Sequence, residues 1–187
     1  VTERPKLVLA SRSPQRSAIL TRLGVPFEGR PAGVEELETG DPRQAALENA
    51  RRKARAARDP AADELVLGVD TIVELDGRIY GKPADEDAAR ATLTALSART
   101  HTVLSGVALI DGAGERCAVA ATRVRFRELD ERLIDWYLGT GEWRERAGGY
   151  AIQGAGAALV HEVEGDYENV VGLPVATLID LCPDLLG

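Results

Sequence analysis

Short blocks of consecutive apolar residues alternate along this chain with stretches whose apolar positions recur every three or four residues, the pattern of buried strands interleaved with amphipathic helices. The first block, LVLA, predicts a strand over residues 6–10. A helix follows, with Ser13 as N-cap, Pro14 at the first helical position and Gly24 as its stop after Leu23. Residues 26–33 read as a short extended segment leading into the acidic run GVEELE. Asp41 and Pro42 open a second helix that runs to about residue 58. At about 100° per residue its Ala46, Ala50 and Ala57 form a narrow stripe, with Arg51, Arg55 and Arg58 on the other side. Residues 66–69 suit a buried strand, and 71–75 continue it to Asp76-Gly77. Residues 85–96 form a helix with acids in its first turn and Ala89, Leu93 and Leu96 on one face. Two long strands, 102–110 and 119–126, flank a turn at 111–114; in the second, Thr122, Val124 and Phe126 alternate with Arg123, Arg125 and Arg127, one face buried and one solvated. Those arginines are assigned no chemistry. Residues 130–138 are an amphipathic helix with Leu133, Ile134, Tyr137 and Leu138 inward. A glycine-rich loop then leads to a strand over 157–163, a turn, and a closing helix over 173–181. No internal repeat appears.

The stretch VLGVDTIVELDGRIYGKP, residues 66–83, organises the rest. Asp-Gly between apolar arms is the strongest short-range hairpin signal. With Asp76 and Gly77 as the loop, Leu75 faces Arg78, and counting along both arms sets Thr71 opposite Lys82 with Asp70 as its diagonal neighbour. Opposed Cβ atoms lie roughly 5 Å apart and diagonal ones about 7–8 Å. An acid at the end of a buried strand is thus predicted to have a lysine folded back beside it. The same spacing also describes a surface salt bridge closing a hairpin.

With 187 residues and 44% hydrophobic content, the chain can bury a full core and reads as one domain, residues 1–187, of two lobes. Its net charge of -7 argues against a nucleic-acid polymer as partner, because such binding needs clustered positive charge. A small anion held by a few local bases is compatible. Two cysteines, Cys117 and Cys182, lie far apart without metal-ligand spacing and read as reduced thiols of a cytoplasmic protein. No apolar run approaches 18 residues and residues 7–10 are too short for a signal peptide, so a soluble intracellular protein with no membrane association is expected. Of the 23 basic residues only Lys6, Lys53 and Lys82 are lysines. A compact ammonium retained where arginine is the default cation hints at a tight site.

Candidate chemistry gathers at four places. The strand, SRSP turn and helix start near residue 11 combine free backbone N–H groups, the Ser11 and Ser13 hydroxyls, and Arg12 and Arg16, which is the recipe for an anion site as well as for an ordinary capped helix. It lacks the glycines of a Walker loop. Glu35, Glu36 and Glu38 suit either a solvated loop or a metal-binding one. Lys53 falls within the alanine stripe, either reaching toward an anion or snorkelling past the helix edge. Gln153, between Ile152 and Gly154, either reads a ligand through its amide or sits inside a tight turn.

Taken in order, ASRSPQR, GVEE, ARRKAR, GVDTIV, YGKP, YAIQGAGA and NVVGLP resemble the Maf family of nucleotide pyrophosphatases from end to end. The resemblance implies an α/β fold of the inosine-triphosphatase-like type, with a mixed central sheet flanked by helices and two lobes around a cleft. It also implies a homodimer and a divalent-metal-dependent (Mg²⁺ or Mn²⁺) hydrolysis of nucleoside triphosphates to monophosphate and pyrophosphate. Family roles carry over to Ser11, Ser13 and Arg16 of the phosphate loop and to Glu36, Lys53, Asp70, Lys82 and Gln153. The family's phosphate loop usually ends in two arginines, whereas Gln15 stands at the first here, which leaves one phosphate contact open. Asp70-Thr71 and Ile152-Gln153-Gly154 resemble the group acting on dTTP, UTP and modified pyrimidine nucleotides; a second group, associated with 7-methyl-GTP, has Asp-Gln and a loop glutamate. An amide that donates and accepts matches the carbonyl and imide N–H of uracil or thymine, so Thr71 and Gln153 are the expected base readers.

The expected mechanism has water attacking the α-phosphorus while Lys53, Lys82 and Arg16 hold phosphate oxygens. Asp70 and Glu36 are the candidates both for binding a hydrated Mg²⁺ and for orienting the water. The rival reading is a nucleotide-binding regulator of septum formation and cell division, which needs the cleft and its cations but no competent acid.

Overall fold

The computed structural model describes residues 6–186. Its strands are β1 (Lys6–Leu9), β2 (Phe27–Gly29), β3 (Glu64–Leu75), β4 (Arg78–Tyr80), β5 (Thr100–Asp111), β6 (Gly114–Phe126) and β7 (Val160–Glu164), and its helices are α1 (Pro14–Arg22), α2 (Pro42–Ala57), α3 (Glu86–Leu96), α4 (Glu131–Gly139), α5 (Tyr167–Val171) and α6 (Val175–Leu181). The strands form one mixed sheet in the order β2-β1-β3-β5-β6-β7, with β4 also paired to β3. Parallel pairs join β1 to β2 and β3; the other pairs are antiparallel. The fold is therefore α/β, a mixed sheet with helices packed on it.

Helix starts follow local chemistry. Ser13, Asp41, Asp85 and Asp130 each accept a hydrogen bond from the backbone N–H three residues on, at the first turns of α1, α2, α3 and α4. Asp76 and Gly77 both have positive φ, 54° and 78°, as a type I′ turn requires. The exposed Arg123 and Arg125 of β6 pair with Glu164 and Glu162 across the ladder.

Strand β3 carries the organisation of the core. On one face, Leu65, Leu67 and Val69 pack with Ile19 and Leu20 of α1 and Leu178 of α6. Farther along that face, Val73 and Leu75 pack with Leu93 of α3 and Ile134 and Tyr137 of α4. Thr71 is the position between the two clusters. On the opposite face Val66 meets Ala50, Ala54 and Ala57 of α2.

Helix α2 lies unusually close to the sheet because glycine replaces side chains beneath it. A Cβ at Gly68 would come within 2.1 Å of the Ala50 carbonyl oxygen, and one at Gly106 within 2.1 Å of that of Ala46. Gly106 is the register partner of Asp70 on β5. The alanine stripe thus lets helix backbone rest on strand backbone directly over the acid.

Three expectations need correction. The last strand begins at Val160 rather than residue 157, because residues 155–159 wind into a 3-10 segment whose Ala157 N–H bonds back to Gly154. The stretch read as a turn contains α5, capped by Asp166, and the closing helix starts at Val175, after Pro174. Finally, the hairpin register is as expected from Leu75↔Arg78 to Val73↔Tyr80 but ends there. Beyond it the Gly81 carbonyl accepts from Gly148, and Pro83 offers no N–H to prolong a ladder. Thr71 and Lys82 are consequently not paired.

Candidate active site

The early end of the hairpin creates the site. On one edge, β1 accompanies β3 only as far as Leu9↔Leu67, and β4 joins it only from Val73↔Tyr80. Among the described residues, 68–72 thus have β5 on one side and no strand on the other, which places Asp70 and Thr71 in the wall of a cleft of about 540 Å³. That is within the range of small-molecule sites. Ser11, Arg12, Ser13, Gln15 and Arg16 line it from the start of α1, and Glu36 from the acidic loop. Asn49 and Lys53 come from α2, and Lys82, Glu145, Arg146 and Gln153 from the segments opposite.

Asp70 is buried, 4% exposed, and both of its oxygens are held. Lys53 Nζ donates to Oδ1 at 2.6 Å and Asn49 Nδ2 to Oδ2 at 2.9 Å. Lys53, itself 9% exposed, also lies 2.6 Å from Glu36 Oε1. Its charge is thus shared between two carboxylates, which keeps the buried acid compensated. Asn49 and Lys53 are four residues apart and project from one face of α2. Asn49 was missed in the sequence. Its signal was a polar side chain on the small-residue stripe, one helical turn before Lys53. It also donates to the Leu37 carbonyl at 3.1 Å and accepts from the Leu37 N–H at 2.7 Å, tying the acidic loop to the helix.

Arg16 is not a solvated helix residue. Its Nε donates to the Gly172 carbonyl at 2.8 Å, Nη1 to Ser11 Oγ at 2.9 Å and Nη2 to Thr71 Oγ1 at 3.1 Å. Three of five N–H donors are used within the protein, leaving two. Burial lowers its affinity for the proton, while Asp70 and Glu36 act in the opposite sense. Ser13 caps α1, and its own hydroxyl donates a hydrogen bond to Gln15 Oε1 at 3.1 Å. Thr71 shares its hydroxyl with Ser105 at 2.9 Å, so it is braced from both sides.

Across the cleft the geometry is looser. Lys82 does not meet Asp70; its nearest carboxylate is Glu145 at 3.5 Å, and its side chain is 55% exposed. Gln153 is exposed rather than folded into its turn. The loop that presents it is held by Glu142, which accepts from the Ala155 N–H at 2.7 Å, and by the Tyr137 hydroxyl, which accepts from the Ala151 N–H at 3.0 Å. Arg146 donates to Gln15 Oε1 at 3.1 Å, linking the two walls; sequence reasoning had no signal for this contact.

Among the described residues no group of three or more His, Cys, Asp and Glu gathers as a metal cage. The donor set is instead two carboxylates meeting at one ammonium, hard oxygens of the kind that a hydrated Mg²⁺ or Mn²⁺ uses together with phosphate oxygens. No helix among the described residues is long and apolar enough to cross a membrane.

The comparisons with known proteins agree in direction. The family model described as Maf-like protein matches residues 6–185. A protein of Anaeromyxobacter dehalogenans strain 2CP-1 named dTTP/UTP pyrophosphatase is 49% identical over 178 residues, covering 92% of this chain and 90% of its own. Proteins of the same name from Pyrococcus furiosus and Deinococcus radiodurans are each 44% identical over 178 residues, covering 94% and 95% of this chain and 93% and 91% of their own.

Proposed function

This chain belongs to the family of Maf-like proteins, and on that premise we propose that it is a nucleoside triphosphate pyrophosphatase, hydrolysing dTTP and UTP to the monophosphate and pyrophosphate. The observation that carries the reading is the buried Asp70–Lys53 pair, joined from the exposed side by Glu36 at the gap in the sheet and facing the serine-capped start of α1 across one cleft. Relatives bearing that activity as their name support it.

In the proposed mechanism the triphosphate lies against the N-terminus of α1, where free N–H groups and the dipole favour anions. Ser11, Ser13 and the two spare donors of Arg16 meet phosphate oxygens there. Lys53 holds the reacting phosphate from below, and Lys82 closes on the chain from the exposed side. Asp70, fixed through both oxygens, orients the water that attacks the α-phosphorus and takes its proton; pyrophosphate leaves. Asp70 and Glu36 would hold the divalent cation, which when bound neutralises charge on the phosphate oxygens. Gln153 reads the uracil or thymine edge by donating and accepting through one amide, and Thr71, whose hydroxyl is held by Arg16 and Ser105, is the second base reader of the proposal; modified pyrimidine nucleotides fit the same chemistry. Groups left unpaired by a wrong base make such discrimination steep. A homodimer in the cytoplasm, where nucleotide pools are cleansed, completes the proposal; light scattering tests the first part.

The direct test is incubation of the purified protein with a panel of nucleoside triphosphates and Mg²⁺ or Mn²⁺, with pyrophosphate and monophosphate measured separately. UTP and dTTP should turn over well ahead of ATP, GTP and 7-methyl-GTP, and Gln153→Glu should weaken that preference. Release of inorganic phosphate instead of pyrophosphate refutes the reaction. Tight binding without turnover identifies a nucleotide-binding regulator.

A further inference from the structure

We propose that Arg146 is a substrate-binding cation of this cleft, taking the phosphate chain together with the Gln15 amide at the start of α1; the proposal rests on the pyrophosphatase reading. Most other cations of the cleft already have partners within the protein. Lys53 has two carboxylates at 2.6 Å, Lys82 has Glu145 at 3.5 Å, and Arg16 is buried with three donors committed to the protein. Arg12 is exposed, and no hydrogen bond or ion pair among the described residues aims it. Arg146 differs from all of these. It is half-buried and aimed, yet its side chain's one hydrogen-bonding partner among the described residues is the neutral Gln15 Oε1, and its Nε is buried with no partner there. A held guanidinium with no acidic partner among the described residues suits an anionic ligand.

Gln15 completes the arrangement. Its Oε1 accepts from both Ser13 Oγ and Arg146 Nη1, each at 3.1 Å, which orients the side chain, and its amide nitrogen has no acceptor among the described residues. Two donor groups from opposite walls, 131 residues apart in the chain, thereby meet beside a helix N-terminus. The backbone is arranged for this contact. Glu145 has φ 57°, a left-handed conformation unfavourable for an L-residue, and it is exposed, so no burial of its side chain offsets the strain. That turn sends the Glu145 side chain to Lys82 and its neighbour Arg146 to Gln15.

The test compares inorganic pyrophosphate binding, by calorimetry, with UTP kinetics for the unaltered protein, Arg146→Ala and Arg146→Lys. Arg146→Ala should weaken pyrophosphate binding and raise KM for UTP by about tenfold or more, and Arg146→Lys should recover part of the loss, because it keeps the charge without the fork. Unchanged pyrophosphate affinity in Arg146→Ala overturns the proposal. Should that variant fail to fold, Arg146→Gln provides the same comparison. If pyrophosphate binding depends on Arg146 but the unaltered protein releases none from UTP, the pyrophosphatase reading falls and the cation assignment stands.

Discussion

Lys53 and Lys82 are the two lysines of the cleft, and they sit in opposite environments. Lys53 is buried on a helix that rests backbone to backbone on the sheet, within 2.6 Å of two carboxylates. Lys82 lies on an irregular segment, more than half exposed, 3.5 Å from a glutamate that is itself 82% exposed. Exposed pairs contribute about 0–1 kcal/mol, whereas removing one partner of a buried pair costs about 3–5 kcal/mol. The floor of the cleft is therefore assembled before a ligand arrives. The rim is held weakly enough for a phosphate chain to compete for its cations. Preorganised charge belongs where the transition state forms, and exchangeable charge where the substrate enters and pyrophosphate leaves.

The largest effects should follow from breaking the floor. Asp70→Asn and Lys53→Ala should each lower UTP turnover by on the order of 10²- to 10³-fold, and Lys53→Ala should also lower the melting temperature, since it strands a buried carboxylate. Near-normal turnover in either variant removes that residue from the chemistry. Next comes the approach of α2. Gly106→Ala places a methyl against helix backbone and should cost about 3 kcal/mol, the upper end for overpacking, read by denaturant titration, with activity falling because Lys53 and Asn49 ride on the displaced helix.

A smaller effect concerns what supports the rim from within. Tyr150 lines the cleft, and its hydroxyl is hydrogen-bonded to His101 Nε2 at 2.8 Å inside an aromatic cluster with Phe126. Burial pushes the His101 imidazole down from 6.5 to about 4. The unfolded chain then binds more protons than the folded one between those values, so stability present above pH 6.5 is lost as pH falls toward 4. At pH 5 the loss should be about 2 kcal/mol, and His101→Phe should flatten that part of the stability profile. An identical slope in the variant would show that His101 does not titrate there. The smallest effect is expected at Lys82→Ala: roughly tenfold in KM, or about 1.4 kcal/mol, with unchanged melting temperature. A loss as deep as that of Lys53→Ala would erase the contrast between floor and rim.

What the sequence determined alone is whatever depends on near neighbours. Caps at Ser13, Asp41, Asp85 and Asp130 answer to N–H groups three residues away, the Asp76-Gly77 turn to two backbone conformations, and the alanine stripe of α2 to one helical period. Lys53 could be singled out because it interrupts that stripe. Tertiary structure decided the rest. Counting along the hairpin brought Lys82 to Asp70 by assuming that both arms stay paired; instead Gly81 bonds to Gly148, and Lys82 leaves the ladder for Glu145. Asn49 reaches Asp70 only because Gly68 and Gly106 admit the helix, and Arg146 reaches Gln15 only across the cleft. Local rules extend as far as a hydrogen-bonded neighbour, while the company a charge keeps depends on which distant backbone is allowed to come close.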